Sequence, residues 1–205
     1  MLRLKGLSHL PLLLIIGLLG ACQDKPTDAE IRAALAPRLA GPSCMTSVLF
    51  KAFPVSLGGD KASSLAGNAD VFEALSQAGL LSKQGNTYEL TELGRSAWKA
   101  KESGFCYSPG YEVKQIKDVA ALDRDQVGPA VEQGWTVTVD IGQQKVADWT
   151  KSPAIVGLAE RKAPALAEAV ETYHVTLGRV RGEQGLKVID PRFSVSKGFN
   201  VNMGF

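Results

Sequence analysis

Three cysteines, one isolated histidine and a scatter of carboxylates set the chemistry open to this 205-residue chain. A thiolate is a nucleophile and a metal ligand, and two thiols can close a disulfide. Cys22 stands directly after the small residues Gly20 and Ala21, at the end of an apolar run. Cys44 and Cys106 are far apart, neither belongs to a Cys-x-x-Cys, and no histidine cluster accompanies them. A redox or zinc pair therefore lacks its usual setting. Beyond residue 21 the only histidine is His174, between Tyr173 and Val175 in a strand-like run. A lone histidine in such a run packs or sits at the surface more often than it acts as a base.

Other catalytic constellations fail on spacing. Asp123-Arg124-Asp125 with Gly128 begins like a calcium loop, but Val127 holds its fifth position and Gly134 its twelfth, where oxygen ligands are required. It reads as a solvated turn. The chain has neither a Gly-x-Ser-x-Gly elbow nor a Gly-x-x-x-x-Gly-Lys phosphate loop. Asp118, Asp140 and Asp148 are the carboxylates whose convergence would suit glycoside chemistry. Since a solvated surface is the usual place for such residues, the expectation is no catalytic residue, no metal and no cofactor.

Leu19-Gly20-Ala21-Cys22 has a basic head before it at Arg3 and Lys5 and a short apolar core from Leu7 to Leu19, containing Pro11. This resembles the lipobox of bacterial lipoprotein signal peptides. The core is shorter than the ~20 apolar residues a spanning helix needs. The resemblance implies cleavage before Cys22, a diacylglyceryl group on its sulfur and acylation of the new amino terminus. Each buried methylene contributes about 0.8 kcal/mol, so several chains anchor firmly where one binds marginally. Gln23 stands where a retention-signal aspartate would sit, which implies the outer membrane, facing the periplasm, in a two-membrane envelope.

That compartment is oxidising, and with Cys22 carrying lipid, Cys44 and Cys106 are left as a pair; a structural disulfide is the expectation. Closing the loop between them would stabilise the fold by about 4 kcal/mol in the chain-entropy picture. The charge reading changes too. Arg3 and Lys5 are two of the 23 basic residues and no acidic residue precedes Cys22, so the remainder carries 21 of each sign. A neutral chain with interspersed charges offers no basic footprint for a phosphate backbone, so no nucleic-acid partner is expected.

The positioning elements follow from periodicity and caps. Thr27-Asp28-Ala29-Glu30 has capping-box spacing, and Ile31, Ala34, Leu35 and Leu39 fall on one helical face until Pro37 kinks or ends it. Met45 to Phe53 is apolar and reads as strand or buried helix. Ser56 to Asn68 reads as a loop. Asp70 to Lys99 combines a helix face of Val71, Phe72, Leu75 and Ala78, a Gly79 cap, a Gly85-Asn86 turn, and a Thr91-capped helix holding Trp98. With Leu90-Thr91-Glu92-Leu93-Gly94 it is similar to the winged-helix regulators of the multiple-antibiotic-resistance kind. The helix carries Asp70 and Glu73 and no basic residue, against a base-reading role.

Strands are expected at Tyr111–Ile116, Trp135–Asp140, Thr172–Arg181 and Leu186–Ile189, the last two joined by Gly182 to Gly185. Asp148 to Val170 reads as a covering helix interrupted by Pro153 and Pro164. The tail alternates, with Phe199, Val201, Met203 and Phe205 on one side. It reads as a closing strand on the core, or as a free strand that adds to a partner's sheet edge.

The expected class is α+β: an N-terminal helical, winged-helix-like part, then a mostly antiparallel sheet with one covering helical segment. The layout is a leader at 1–21, a tether at 22–26, the helical region at 27–104 and the β-rich region at 105–205, packed as one unit. Functionally, the chain reads as a non-catalytic, lipid-anchored envelope protein that binds another protein, as an assembly factor, inhibitor or toxin-immunity protein does. The other class is an envelope enzyme, such as a carboxylate-dependent cell-wall glycan hydrolase, or a small-ligand carrier.

Overall fold

A computed structural model of the protein describes residues 25–58, 68–162 and 170–201. Cys22, Met203 and Phe205 lie outside the described residues, as does most of the loop expected between Ser56 and Asn68. The class is α+β: a curled sheet with few helices. Among the described residues no helix is long and apolar enough to cross a membrane.

Helix α1 (Asp28–Leu39) starts on the capping box expected of it. The Thr27 hydroxyl accepts from the Glu30 amide, and the Glu30 carboxylate accepts from the Thr27 amide at 2.9 Å. Ile31, Leu35 and Leu39 are buried on one face. Pro37 lies inside the helix, which ends two residues later and turns at Ala40 into strand β1 (Ala40–Thr46). After a 3-10 turn at Val48–Phe50 come β2 (Val55–Ser56), α2 (Ala69–Gln77), β3 (Leu81–Gln84), β4 (Thr87–Leu90), α3 (Glu92–Ala97) and β5 (Trp98–Lys99). The second half holds β6 (Gly104–Leu122), β7 (Val131–Gln143), α4 (Pro153–Lys162), β8 (Glu171–Val180), β9 (Leu186–Val188) and β10 (Phe199–Asn200).

Seven strands form the main sheet in the order β10-β1-β6-β7-β8-β9, with β5 also on β6. Its pairings are antiparallel except β10, which runs parallel to β1. The small sheet is β2-β4-β3. The 19-residue β6 organises both cores. Its first half pairs with β1 and β5 above a core of Met45, Phe50, Phe72, Leu75, Phe105, Ile155 and Leu158. Phe50 meets Phe72 and Phe105 edge-on, with ring centres 5.9 and 5.3 Å apart. Its second half pairs with β7, whose Trp135, Val137, Val139 and Ile141 form the second core against α1.

The sheet thus draws on both sides of the division expected at residue 104, because α1 and β1 join strands of the later part. Cover is also distributed differently. Asp148 to Val170 opens with a 3-10 turn (Asp148–Lys151), and α4 then starts at Pro153, where a missing amide costs nothing. The buried side of α4, Ile155 and Leu158, joins the first core, and α1 covers the second. Trp98, expected in a helix, instead pairs opposite Phe105 in β5, its indole N–H donating to the Phe50 carbonyl at 2.8 Å.

Glycine explains the succession after α2. A Cβ at Gly94 would stand 1.9 Å from the Leu80 carbonyl oxygen, so only glycine lets α3 approach the end of α2 this closely. Thr91 secures the same junction: its hydroxyl accepts from the Gly94 amide at 3.0 Å and donates to the Gly79 carbonyl at 2.6 Å.

Candidate functional site

Where β1 leaves α1 its pairing with β6 is interrupted. Ala40 registers on Gly110 and Ser43 on Ser108, so Gly41 and Pro42 stand opposite the single residue Pro109. This is a bulge, and proline, with no amide to give to a ladder, is suited to such places. Beyond a second shift, Cys44 and Cys106 face each other directly and are joined by a disulfide, as expected for this pair. The next pair, Met45 and Phe105, is fully buried in the first core.

The bulge opens a groove of about 320 Å³ lined by Pro42, Cys106, Tyr107, Ser108, Pro109 and Ala147, together with Lys99 and Lys145. Both lysines are exposed. Each comes from a fixed piece of chain. Lys99 is in β5 opposite Gly104, and its ammonium donates to the Ser96 carbonyl at 3.1 Å. Lys145 lies between two main-chain ties, Gln144 N–H to the Gly110 carbonyl at 2.9 Å and Ala147 N–H to the Tyr107 carbonyl at 2.8 Å.

The groove's polar groups are few. Ser108 is turned inward on its own loop, its hydroxyl donating to the Gly110 carbonyl at 2.9 Å. Ser43, fully buried beside it, has no hydrogen-bond partner for its hydroxyl among the described residues, and neither does the Gln143 side-chain carbonyl. Tyr107 is buried against Trp149 and Phe199, with ring centres 6.2 and 6.3 Å away. Burial pushes its phenol up to about 12, opposed by a hydrogen bond from Gln143. Among the described residues no carboxylate or histidine lines the groove. Asp148 is the acid whose titration Lys145 influences, but it is bound to Lys151 at 2.9 Å, which chiefly holds its carboxyl below the usual range.

Of the carboxylates singled out in the sequence, Asp148 stands far from Asp140, whereas Asp118 registers two residues along β7 from Asp140. Asp140 accepts from Lys117 at 2.7 Å and from the Thr172 hydroxyl at 2.6 Å, and these two partners, Lys117 first, lower its titration. It registers on Gln115 of β6, whereas the chain around Asp148 is tied to Tyr107. Eight residues of strand separate those points, on the order of 25 Å. Asp118 registers on Thr138. His174 is exposed, with Nδ1 3.0 Å from the Thr138 hydroxyl oxygen. Asp123 caps the short turn Arg124–Gln126. No group of three or more His, Cys, Asp or Glu side chains that could hold a metal occurs among the described residues.

The tail residues fall on the first core. Phe199 registers on Met45, and Val201 is buried, its amide donating to the Thr46 carbonyl at 2.9 Å. Gly198 permits this approach: it has φ +81°, and a Cβ there would stand 2.0 Å from the Cys44 carbonyl oxygen. Sequence reasoning found the cysteines and missed the groove around them. The available signal was a proline near each cysteine, in Gly41-Pro42-Ser43-Cys44 and Cys106-Tyr107-Ser108-Pro109.

No protein-family model, curated protein or solved structure matches the chain.

Proposed function

We propose that this chain is a non-catalytic cell-envelope protein, held on the membrane by lipid on Cys22, that binds another protein in the periplasm through the groove at the Cys44–Cys106 bridge. The carrying observation is the groove's make-up: an apolar lining of prolines, disulfide and Tyr107 with two exposed lysines and, among the described residues, no acid or histidine. That lining offers contact area and charge, and the described residues bring neither a carboxylate nor an imidazole to it. A glycan hydrolase needs two carboxylates about 5–10 Å apart; Asp148 is far from Asp140, and Asp140, the register neighbour of Asp118, is taken up by Lys117 and Thr172 and does not line the groove.

In this reading the outer membrane carries the protein, and its partner is an assembly component, a target enzyme or a toxin. The run α2-β3-β4-α3 is a winged-helix-like scaffold with a structural role. Its first helix offers Asp70 and Glu73 where a DNA reader would carry basic residues. In this reading Phe199 and Val201 close the sheet along β1 and have a structural role.

The test is a photoreactive residue at Ala147 in the full-length lipidated protein, irradiated in intact cells and followed by mass spectrometry. One protein cross-linked in stoichiometric yield supports the reading. Cross-linking only to glycan, lipid or a small molecule overturns it.

A further inference from the structure

We infer that the groove recognises an acidic, apolar segment of its partner: an aliphatic or aromatic side chain seated between Pro42, Pro109 and the disulfide, with a flanking Asp or Glu on Lys99 and Lys145. The inference rests on the protein-binding reading and names the chemistry of what is bound.

Charge complementarity carries it. The two exposed lysines are the charged side chains of the lining, and among the described residues no carboxylate of the lining answers them. Lys99 gives a hydrogen bond to the Ser96 carbonyl, which neutralises no charge. The one acid shown to feel Lys145, Asp148, is already bound by Lys151. Strand addition is disfavoured along the bulge, because Pro42 and Pro109 present no amide to a visiting backbone. A sugar would need several donors and acceptors, whereas Ser108 is satisfied by Gly110 and Ser43 is buried out of reach. What remains is an apolar surface with ammonium groups, complementary to a carboxylate beside an apolar side chain. At about 320 Å³ the groove is at the small end of ligand sites, suited to part of a segment.

An exposed ion pair contributes a factor of about two to five, and the contribution fades as salt screens it. Two lysines therefore predict roughly a four- to twenty-five-fold preference for an acidic segment over its amide counterpart at low ionic strength. The probe is acetyl-Gly-Glu-Phe-Glu-Gly-amide, compared with the same peptide carrying Gln for Glu and with one carrying Ala for Phe. Each is titrated into the ¹⁵N-labelled full-length protein in detergent micelles and followed by amide chemical shifts.

The expected result is perturbation centred on Lys99, Cys106 to Ser108 and Lys145, with the acidic peptide preferred. The preference should shrink in high salt, vanish in K99Q/K145Q and persist in K99R/K145R. Loss of the phenyl ring should weaken binding in every background. Equal binding of the Glu and Gln peptides, or perturbation centred elsewhere, overturns the inference. If the Ala147 cross-link still captures a protein in that event, the protein-binding reading stands and only the partner's chemistry is wrong. Absence of any protein cross-link removes both.

Discussion

Breaking the Cys44–Cys106 bridge should lower the melting temperature by roughly 8–16 °C. The bridge closes a loop of 62 residues, which in the chain-entropy model restricts the unfolded chain by about 4 kcal/mol. A domain of this size loses about 2–4 °C per kcal/mol. Replacing both cysteines with alanine keeps each Cβ, so the buried Cys44 position acquires neither a charge nor an unpaired hydroxyl. Loop closure is then the main quantity removed. Each single variant should cost about as much as the double, because either one removes the whole bond. Scanning calorimetry of the wild type, C44A, C106A and C44A/C106A, with and without reductant, reads this directly. Reductant should bring the wild type down to the double variant and leave the double variant unmoved. The reasoning is refuted if wild-type protein shown by thiol titration to be fully reduced at both positions melts within about 2 °C of the oxidised form.

Three further outcomes follow from single contacts. Gly94→Ala should destabilise by roughly 1–3 kcal/mol, seen as a lower urea midpoint, because its methyl group would meet the Leu80 carbonyl oxygen; an unchanged midpoint would show that α3 does not pack this closely. Asp140 is held below its usual value of 3.8 by Lys117 and Thr172, so it contributes stability above that value that is lost as pH falls through the lower folded-state value. Asp140→Asn should therefore flatten the acid side of a stability-versus-pH curve, and an identical curve would count against the ion pair. Cys22→Ser should move the protein from the membrane fraction to the soluble periplasmic fraction, as tracked by immunoblot, whereas retention on membranes would remove the lipid anchor from the proposal.

What was legible in the sequence was local. Thr27 and Glu30 satisfy each other within one turn, so the start of α1 needed nothing beyond four residues. Trp135, Val137 and Val139 alternate because one face of β7 is buried along its length. By contrast, β6 shows no steady alternation, and beyond Val113 register shifts between Val113 and Gln115 and between Ile116 and Asp118 reset which side faces inward. Only the stretch around Tyr111–Ile116 therefore read as strand. The placement of α1 on the later strands, the parallel pairing of Phe199 with Met45, and β5 as a separate strand depend on contacts distant in sequence. The groove was the least visible feature of all. Its lining comes from positions 42, 99, 106–109, 145 and 147, which no local pattern links.

In the proposed reading, the features that hid the groove also suit it to binding. A bulge released by two prolines would be soft if left alone, and here each side of it is held. The disulfide fixes β1 to β6 immediately beyond the bulge, and Gly198 brings the tail against the Cys44 backbone from the far edge. Gln144 and Ala147 pin the Lys145 segment to β6. A groove fixed on three sides loses little freedom when occupied, so a small apolar contact with two surface charges can yield usable affinity. Lipid attachment at Cys22 would add to that affinity by confinement. The residues from Cys22 to Thr27, fully extended, reach about 20 Å, α1 adds about 18 Å, and three more residues arrive at Pro42. The groove then stays within about 50 Å of the membrane holding the lipid. A partner tethered to that membrane would meet it at a high effective concentration, so modest intrinsic affinity would suffice.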